Sequence, residues 1–391
     1  MRDRFCIQLT AGIILFILVS QVPAQQEQWL QYHCSREAGQ ILGETGPQSM
    51  QLSTEQPADV KLPQFKGENQ LFGRWPTPMV KSGFLWVALD RTHDQGPYDL
   101  LYIDSNCNGA LDDETVEQAY RIDQRSAYFG PVKVIFEIED GPVTYHLNFN
   151  SYQYADTRLN ASSAGWYEGD ITVGGEKKHC VLFDYNANGT FNDKSADAGD
   201  CDRIRIGKQG DQETLFTGNY IVVDETLYRP EIARDGACIK LSKADEVKFG
   251  SITLPESITQ LSVNGENGLF VLRPEKGTTT LPVGKYNVHD WAIERQDDKG
   301  TNWRLNGSGL GENNIFDVVE DKPAVLTIGE PVIAILDASE RQGTHSFQQG
   351  MKGRAGERIE LTRNGARPQA PKVRITSADG TYDRTYSFQY G

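Results

Sequence analysis

The feature that most constrains this chain is a ten-residue stretch that occurs twice. It reads Asp104-Ser105-Asn106-Cys107-Asn108-Gly109-Ala110-Leu111-Asp112-Asp113 and again Asp184-Tyr185-Asn186-Ala187-Asn188-Gly189-Thr190-Phe191-Asn192-Asp193. In each copy oxygen-bearing side chains fall at positions 1, 3, 5 and 9, and a glycine at position 6 permits the sharp turn that aims those oxygens inward. A short loop built this way cages a hard cation, and oxygen ligands at this density suit Ca²⁺. Each loop is entered by an apolar run, Leu100-Leu101-Tyr102-Ile103 or Cys180-Val181-Leu182-Phe183, which reads as a buried strand delivering the first aspartate.

The repeat is wider than the loop. The two copies lie 80 residues apart, and at that same offset Trp86 falls on Trp166 and Asp90 on Asp170. Matched units thus run from Trp86 to Thr115 and from Trp166 to Ser195, so a duplicated strand-plus-loop unit accounts for the middle of the chain.

The loops resemble the calcium loops of the EF-hand, dockerin and thrombospondin type-3 families, which share the motif D-x-[DN]-x-[DN]-G. The resemblance implies side-chain ligands at Asp104, Asn106, Asn108 and Asp112, with the Ala110 carbonyl at position 7. Its equivalents in the second loop are Asp184, Asn186, Asn188 and Asn192, with the Thr190 carbonyl. At position 12, where the family has a bidentate acid, this chain has Thr115 and Ser195. The missing carboxylate is then expected from Asp113 or Glu114 in one loop and from Asp193 or Asp197 in the other. Fewer formal charges at a site mean weaker binding. The competing reading is a pair of Asx-rich turns, since Asn and Asp bond readily to nearby backbone; recurrence at a fixed offset favours metal.

Around the loops the expected fold is mainly β. From residue 63 to about 245, runs rich in Val, Ile, Tyr and Phe alternate with Gly, Asn and Asp turns, and long helical periodicity is missing. Hairpins are predicted about Asp140-Gly141 and about Asp224-Glu225. The polar segment 25–62 reads as a short helix and a loose connection. Residues 246–329 read as a β-sandwich. Within them, Leu281-Pro282-Val283-Gly284-Lys285-Tyr286-Asn287-Val288 resembles a pattern of prealbumin-like and carboxypeptidase-regulatory sandwiches in which the tyrosine begins a core strand. Residues 330–391 are spaced as in an Ig-like sandwich and either form a small one or complete the preceding domain.

The first 24 residues carry Arg2 and Arg4, an apolar run from Ile13 to Val19, and then Val22-Pro23-Ala24, the pattern of a secretory signal peptide. The expected location is therefore secreted, periplasmic or cell surface. No later stretch approaches the ~20 apolar residues of a membrane span. With a net charge of −15 and no Lys/Arg cluster, nucleic acid is not an expected partner.

Without Cys6 of the signal, Cys34, Cys107, Cys180, Cys201 and Cys238 remain, an odd set, and Cys180 and Cys201 bracket the second loop closely enough to predict that they are bonded or close. Zincin, nucleophile-elbow, Walker and dinucleotide-binding motifs are absent from the sequence. Acid pairs such as Glu137 with Glu139 or Glu168 with Asp170 say nothing without geometry. Tryptophans 75, 86, 166, 291 and 303 read as core more readily than as a sugar-stacking face. The expected function is a calcium-binding module for structure, adhesion, or binding of glycan or another surface protein. The alternative is a secreted glycan hydrolase whose carboxylates the sequence does not place.

Overall fold

The computed structural model describes residues 26–93, 96–123, 126–139, 141–152 and 158–389. The segment read as a signal peptide and Asp140 lie outside them.

The architecture is mainly β, as expected, and its strands pair antiparallel except Phe249–Thr253 with Ala324–Val325, which is parallel. Apolar side chains gather in two principal clusters. One draws on residues from Leu30 to Leu241 and centres on Trp75, Phe129, Phe136, Tyr145 and Phe149. The other runs from Ile252 to Ile359 about Tyr286, Val288, Trp291 and Ile293. Alternation explains how single strands feed these cores: in Gly141–Tyr152, Tyr145, Leu147 and Phe149 are buried while their neighbours are not.

Each loop leaves the C-terminal end of a central strand. Leu100–Ile103 lies between Phe84–Asp90 and Glu117–Gln118, and Glu176–Phe183 lies between Gly165–Val173 and Arg203–Gly207. The duplication is therefore visible in topology, but its register is not conserved. Val87 pairs with Ile103, whereas Tyr167 pairs with Leu182 in place of Phe183. A one-residue slip turns every side chain of a strand to the opposite face. Accordingly Leu101 and Ile103 enter the main core in the first unit, and Cys180 and Leu182 enter it in the second. Aligned residues do different work: Asp90 is fully buried and accepts from the Lys66 and Gly67 amides, while Asp170 is half exposed and pairs with Lys177 at 2.7 Å.

Both predicted hairpins form. Ser126–Ile138 pairs with Gly141–Tyr152, and Ile221–Val223 pairs with Thr226–Ile232 across Asp224 and Glu225, whose φ angles of 48° and 60° define a tight two-residue turn. The segment 25–62 departs from its expected loose course. Gln28–Trp29, Gln31–Cys34 and Gln48–Gln51 each add to the edge of a sheet, and among the described residues there the only helix is Ala38–Leu42. Backbone pairing to strands from distant sequence overrides the polar composition, which the chain alone did not disclose. Towards the C-terminus, Ile333–Arg341, Thr344–Lys352 and Arg358–Arg363 continue the sheet that holds Gln260–Gly265 and Gly284–Gln296, and Lys372–Thr376 pairs with Asp383–Ser387 as a separate hairpin. Tyr286 is fully buried in its strand and donates its hydroxyl to the Pro282 carbonyl at 2.8 Å.

Cys180 and Cys201, predicted to be bonded or close, are not bonded. Both are buried free thiols, Cys180 within the main core and Cys201 within hydrogen-bond distance of the Ser195 backbone.

Candidate metal centre

The two loops have the same backbone. At position 4, Cys107 and Ala187 have φ of 60° and 54°; at position 6, Gly109 and Gly189 have 81° and 96°. Left-handed geometry at a non-glycine residue is uncommon, so its repetition in both copies marks a defined turn. At Gly189 the lack of a side chain is also needed for packing, since an added Cβ would come within 3.2 Å of Met79 Cγ and Thr77 Oγ1.

The hydrogen bonds repeat as well. In the first loop the Asp104 carboxylate, 2% exposed, accepts from Asn108 N and Gly109 N at 2.9 Å each. Asn106 Oδ1 accepts from Asn108 N, and Asn108 Oδ1 from Ala110 N at 2.8 Å. The amides of Asn106 and Asn108 converge on Asp113 Oδ2, at 3.2 and 2.8 Å. In the second loop Asp184 accepts from Asn188 N and Gly189 N, Asn186 from Asn188 N, and Asn188 from Thr190 N. Asn186 and Asn188 again converge on Asp193 Oδ2, at 3.1 and 2.5 Å. The structure thus brings positions 1, 3, 5 and 10 together in both copies. Position 9 stands apart: Asp112 is exposed, and the Asn192 amide donates out of the loop to the Ile232 carbonyl at 3.4 Å.

One further carboxylate closes each loop. Glu114 accepts from Ser105 N at 2.8 Å and also from Asn106 N and Ser105 Oγ. In the second loop the corresponding group is Asp202, which accepts from Tyr185 N at 3.2 Å and Asp193 N at 2.8 Å. Asp197, offered by spacing along with Asp193, instead accepts from Gly199 N. Loop numbering gives no sign of Asp202. Its place follows from strand register, because Phe183 pairs with Arg203 and the residues just beyond them, Asp184 and Asp202, meet at the strand end.

The second site is the drier of the two. Asp184 and Asp202 are both fully buried. Tyr145, stacked on Trp75 with ring centroids 5.9 Å apart, donates its hydroxyl to Asp184 Oδ2 at 2.7 Å. Burial pushes Asp184 up to about 7. It raises Asp202 well above the usual carboxylate range, and the neighbouring Asp184 and Asp193 charges push it further the same way. Asp104 is raised too, chiefly by burial and against the pull of its two amide donors. The nearby Arg203 guanidinium is committed to the Cys201 and Ala198 carbonyls and lies over the Tyr185 and Phe216 rings. Among the described residues, no set of three or more His, Cys, Asp or Glu side chains stands in a metal-holding arrangement. The loop oxygens face one another's amides, and half of the would-be side-chain donors are asparagine.

Replacing Tyr145 by phenylalanine removes the hydroxyl from Asp184 while keeping the ring stack. The expected cost is about 1–2 kcal/mol to this domain, read from urea melts at fixed calcium.

The other candidates are accounted for locally. Trp75, Trp166 and Trp291 are core, while Trp86 and Trp303 are partly buried. Glu168 and Asp170 both face His179, at 3.0 and 3.6 Å, and Glu168 also accepts from Trp166 Nε1. Glu137 and Glu139 are exposed.

Fold and loops together define a class: a mainly β protein with a duplicated Asx-rich loop at the ends of paired strands. Comparisons with known protein families, curated proteins and solved structures give no match. Among the described residues no helix is long and apolar enough to cross a membrane.

Proposed function

We propose that this chain is a calcium-loaded structural or binding module that works outside the cytoplasm, with one Ca²⁺ in each duplicated loop. The observation that carries the reading is the recurrence, 80 residues apart, of one left-handed turn and one set of Asp and Asn contacts, in which two Asn amides meet one Asp carboxylate. The residues present suit a hard cation. Asp104, Asn106, Asn108 and Asp113 would hold it in the first loop and Asp184, Asn186, Asn188 and Asp193 in the second, with the Ala110 and Thr190 carbonyls. Glu114 and Asp202 stand where a further carboxylate is needed. A divalent ion would also relieve the cost of placing Asp193 beside the buried Asp184 and Asp202. Extracellular sites of this type bind at ~10⁻⁴ M, so millimolar Ca²⁺ would stabilise each by about 1.4 kcal/mol. That amount orders a loop and fixes a surface. The partner such a surface would engage is a glycan or another surface protein, and glycan-array binding with and without calcium is the experiment that tests this part.

The sign of the pH dependence follows from Asp184. A carboxyl held above its unfolded value binds more protons in the folded chain, so its contribution to the metal-free protein is fully present below the unfolded value and lost as pH rises through the folded one. Calcium must displace that proton. Affinity at the second loop is therefore expected to fall from pH 8 to pH 6, with proton release on binding. Calorimetric titration in two buffers of different ionisation enthalpy reads this, and a pH-independent affinity with no released proton would count against it.

A further inference from the structure

The loops share chemistry but not surroundings. Those of the first loop belong to the N-terminal domain: the Ser105 carbonyl accepts from Ile135 N at 2.8 Å, Cys107 Sγ donates to the Ile135 carbonyl, and Leu111 N donates to the Lys61 carbonyl. Its closing carboxylate, Glu114, comes from the adjoining residue.

The second loop instead reaches the C-terminal domain along two routes. Between Asp193 and Asp202 the chain makes a short strap, and the Ala196 carbonyl at its crest accepts from Asn264 Nδ2 at 2.8 Å and Asn287 Nδ2 at 2.5 Å. Asn264 and Asn287 are cross-strand partners in the C-terminal sheet, so two amides from adjacent strands grip one oxygen of the strap. The second route starts at Thr217, whose hydroxyl donates to the Asp193 carbonyl at 2.5 Å and whose N–H donates to the Asp202 carbonyl at 2.9 Å. The next residues dock on the other domain: Asn219 N donates to the Glu266 carbonyl, Tyr220 N to the Asn267 carbonyl, and Asn219 Nδ2 to Asn267 Oδ1. At that contact two glycines meet. A Cβ on Gly218 would lie 2.4 Å from Gly268 N, and one on Gly268 would lie 2.5 Å from the Tyr220 carbonyl.

We infer that the second loop, with its Asp193–Asp202 strap, is a calcium-dependent clasp that fixes the C-terminal domain against the N-terminal one, while the first loop serves its own domain alone. This rests on the calcium reading above. The mechanism is mechanical. Asp202 holds both ends of the second loop through Tyr185 N and Asp193 N, and both routes to the other domain start within this closed turn. With the ion, Asp184, Asp193 and Asp202 are neutralised together and the strap is held. Without it, the turn is held by its own hydrogen bonds alone, and the Ala196 carbonyl and Thr217 are fixed less firmly.

The test uses the full mature chain, with terbium luminescence and calcium calorimetry to count sites, small-angle scattering to measure the radius of gyration, and limited proteolysis to read cleavage within 194–201. Chelation of the wild type should increase the radius of gyration and speed strap cleavage at least tenfold. Asp193→Asn should behave in calcium as the chelated protein does, whereas Asp113→Asn should lose a site and keep the calcium-bound radius and cleavage rate. The pair Asn264→Ala with Asn287→Ala, which leaves the loop intact, should keep terbium binding at the second loop and lose the calcium response of the radius. If neither loop binds terbium or calcium, the calcium reading falls and the clasp with it. If the second loop binds and neither radius nor cleavage responds, the clasp alone is overturned.

Discussion

Replacing Asp184 by alanine is expected to destabilise the N-terminal domain by about 3–5 kcal/mol, lowering its melting transition by roughly 10 °C, even before calcium is considered. The carboxylate is fully buried and accepts from Gly189 N, Asn188 N and the Tyr145 hydroxyl. Alanine would take the acceptor from Gly189 N and from the Tyr145 hydroxyl in a place closed to water and leave Asn188 N with Asn186 Oδ1 alone, and buried groups that lose their partners are among the few causes of losses this large. Asp104→Ala should cost less, about 1–3 kcal/mol, since Asp104 accepts only two backbone amides and lies next to the exposed Asn106 and Asp113. Glu139→Ala, at an exposed position outside both loops, should stay within about 0.5 kcal/mol. Scanning calorimetry on the three variants decides the order. Equal losses at Asp184 and Glu139 would show that the carboxylate is not the keystone of its loop.

Chelation of the wild type is expected to lower the N-terminal transition by roughly 5–10 °C and leave the C-terminal transition in place. Two sites at about 1.4 kcal/mol each set the size of the effect. The selectivity has a structural cause. Both loops hang from strands of the first apolar cluster, while the second cluster, about Tyr286 and Trp291, holds no residue of either loop. The clasp changes how the two domains are held, not the packing inside the second one. In Asp104→Ala and Asp184→Ala the calcium-dependent part of the shift should shrink by about half, because each variant keeps one loop.

Much of this was legible in the chain because local chemistry fixed it. The Asp-x-Asn-x-Asn-Gly spacing demanded a turn with a left-handed glycine, and Gly109 and Gly189 occupy one. The apolar runs before each loop demanded buried strands, and Asp224-Glu225 between β-branched runs demanded a tight hairpin. What the chain hid was long-range register. The one-residue slip between the duplicated hairpins could not be seen from an offset of 80, although it determines which side chains of Leu100–Ile103 and Glu176–Phe183 meet the core. Asp202 was hidden for the same reason, since only the pairing of Phe183 with Arg203 brings it to Asp184. The polar strands Gln31–Cys34 and Gln48–Gln51 show the same limit from the other side, being held mainly by backbone pairing to distant strands.

Isothermal titration of the calcium-stripped chain decides whether both loops hold calcium. The prediction is two sites per chain with dissociation constants on the order of 10⁻⁴ M, reduced to one by Asp113→Asn and to one by Asp193→Asn. A titration to ~10 mM Ca²⁺, well above that range, that shows no saturable binding in the wild type would contradict it and leave the duplicated loops as hydrogen-bonded turns.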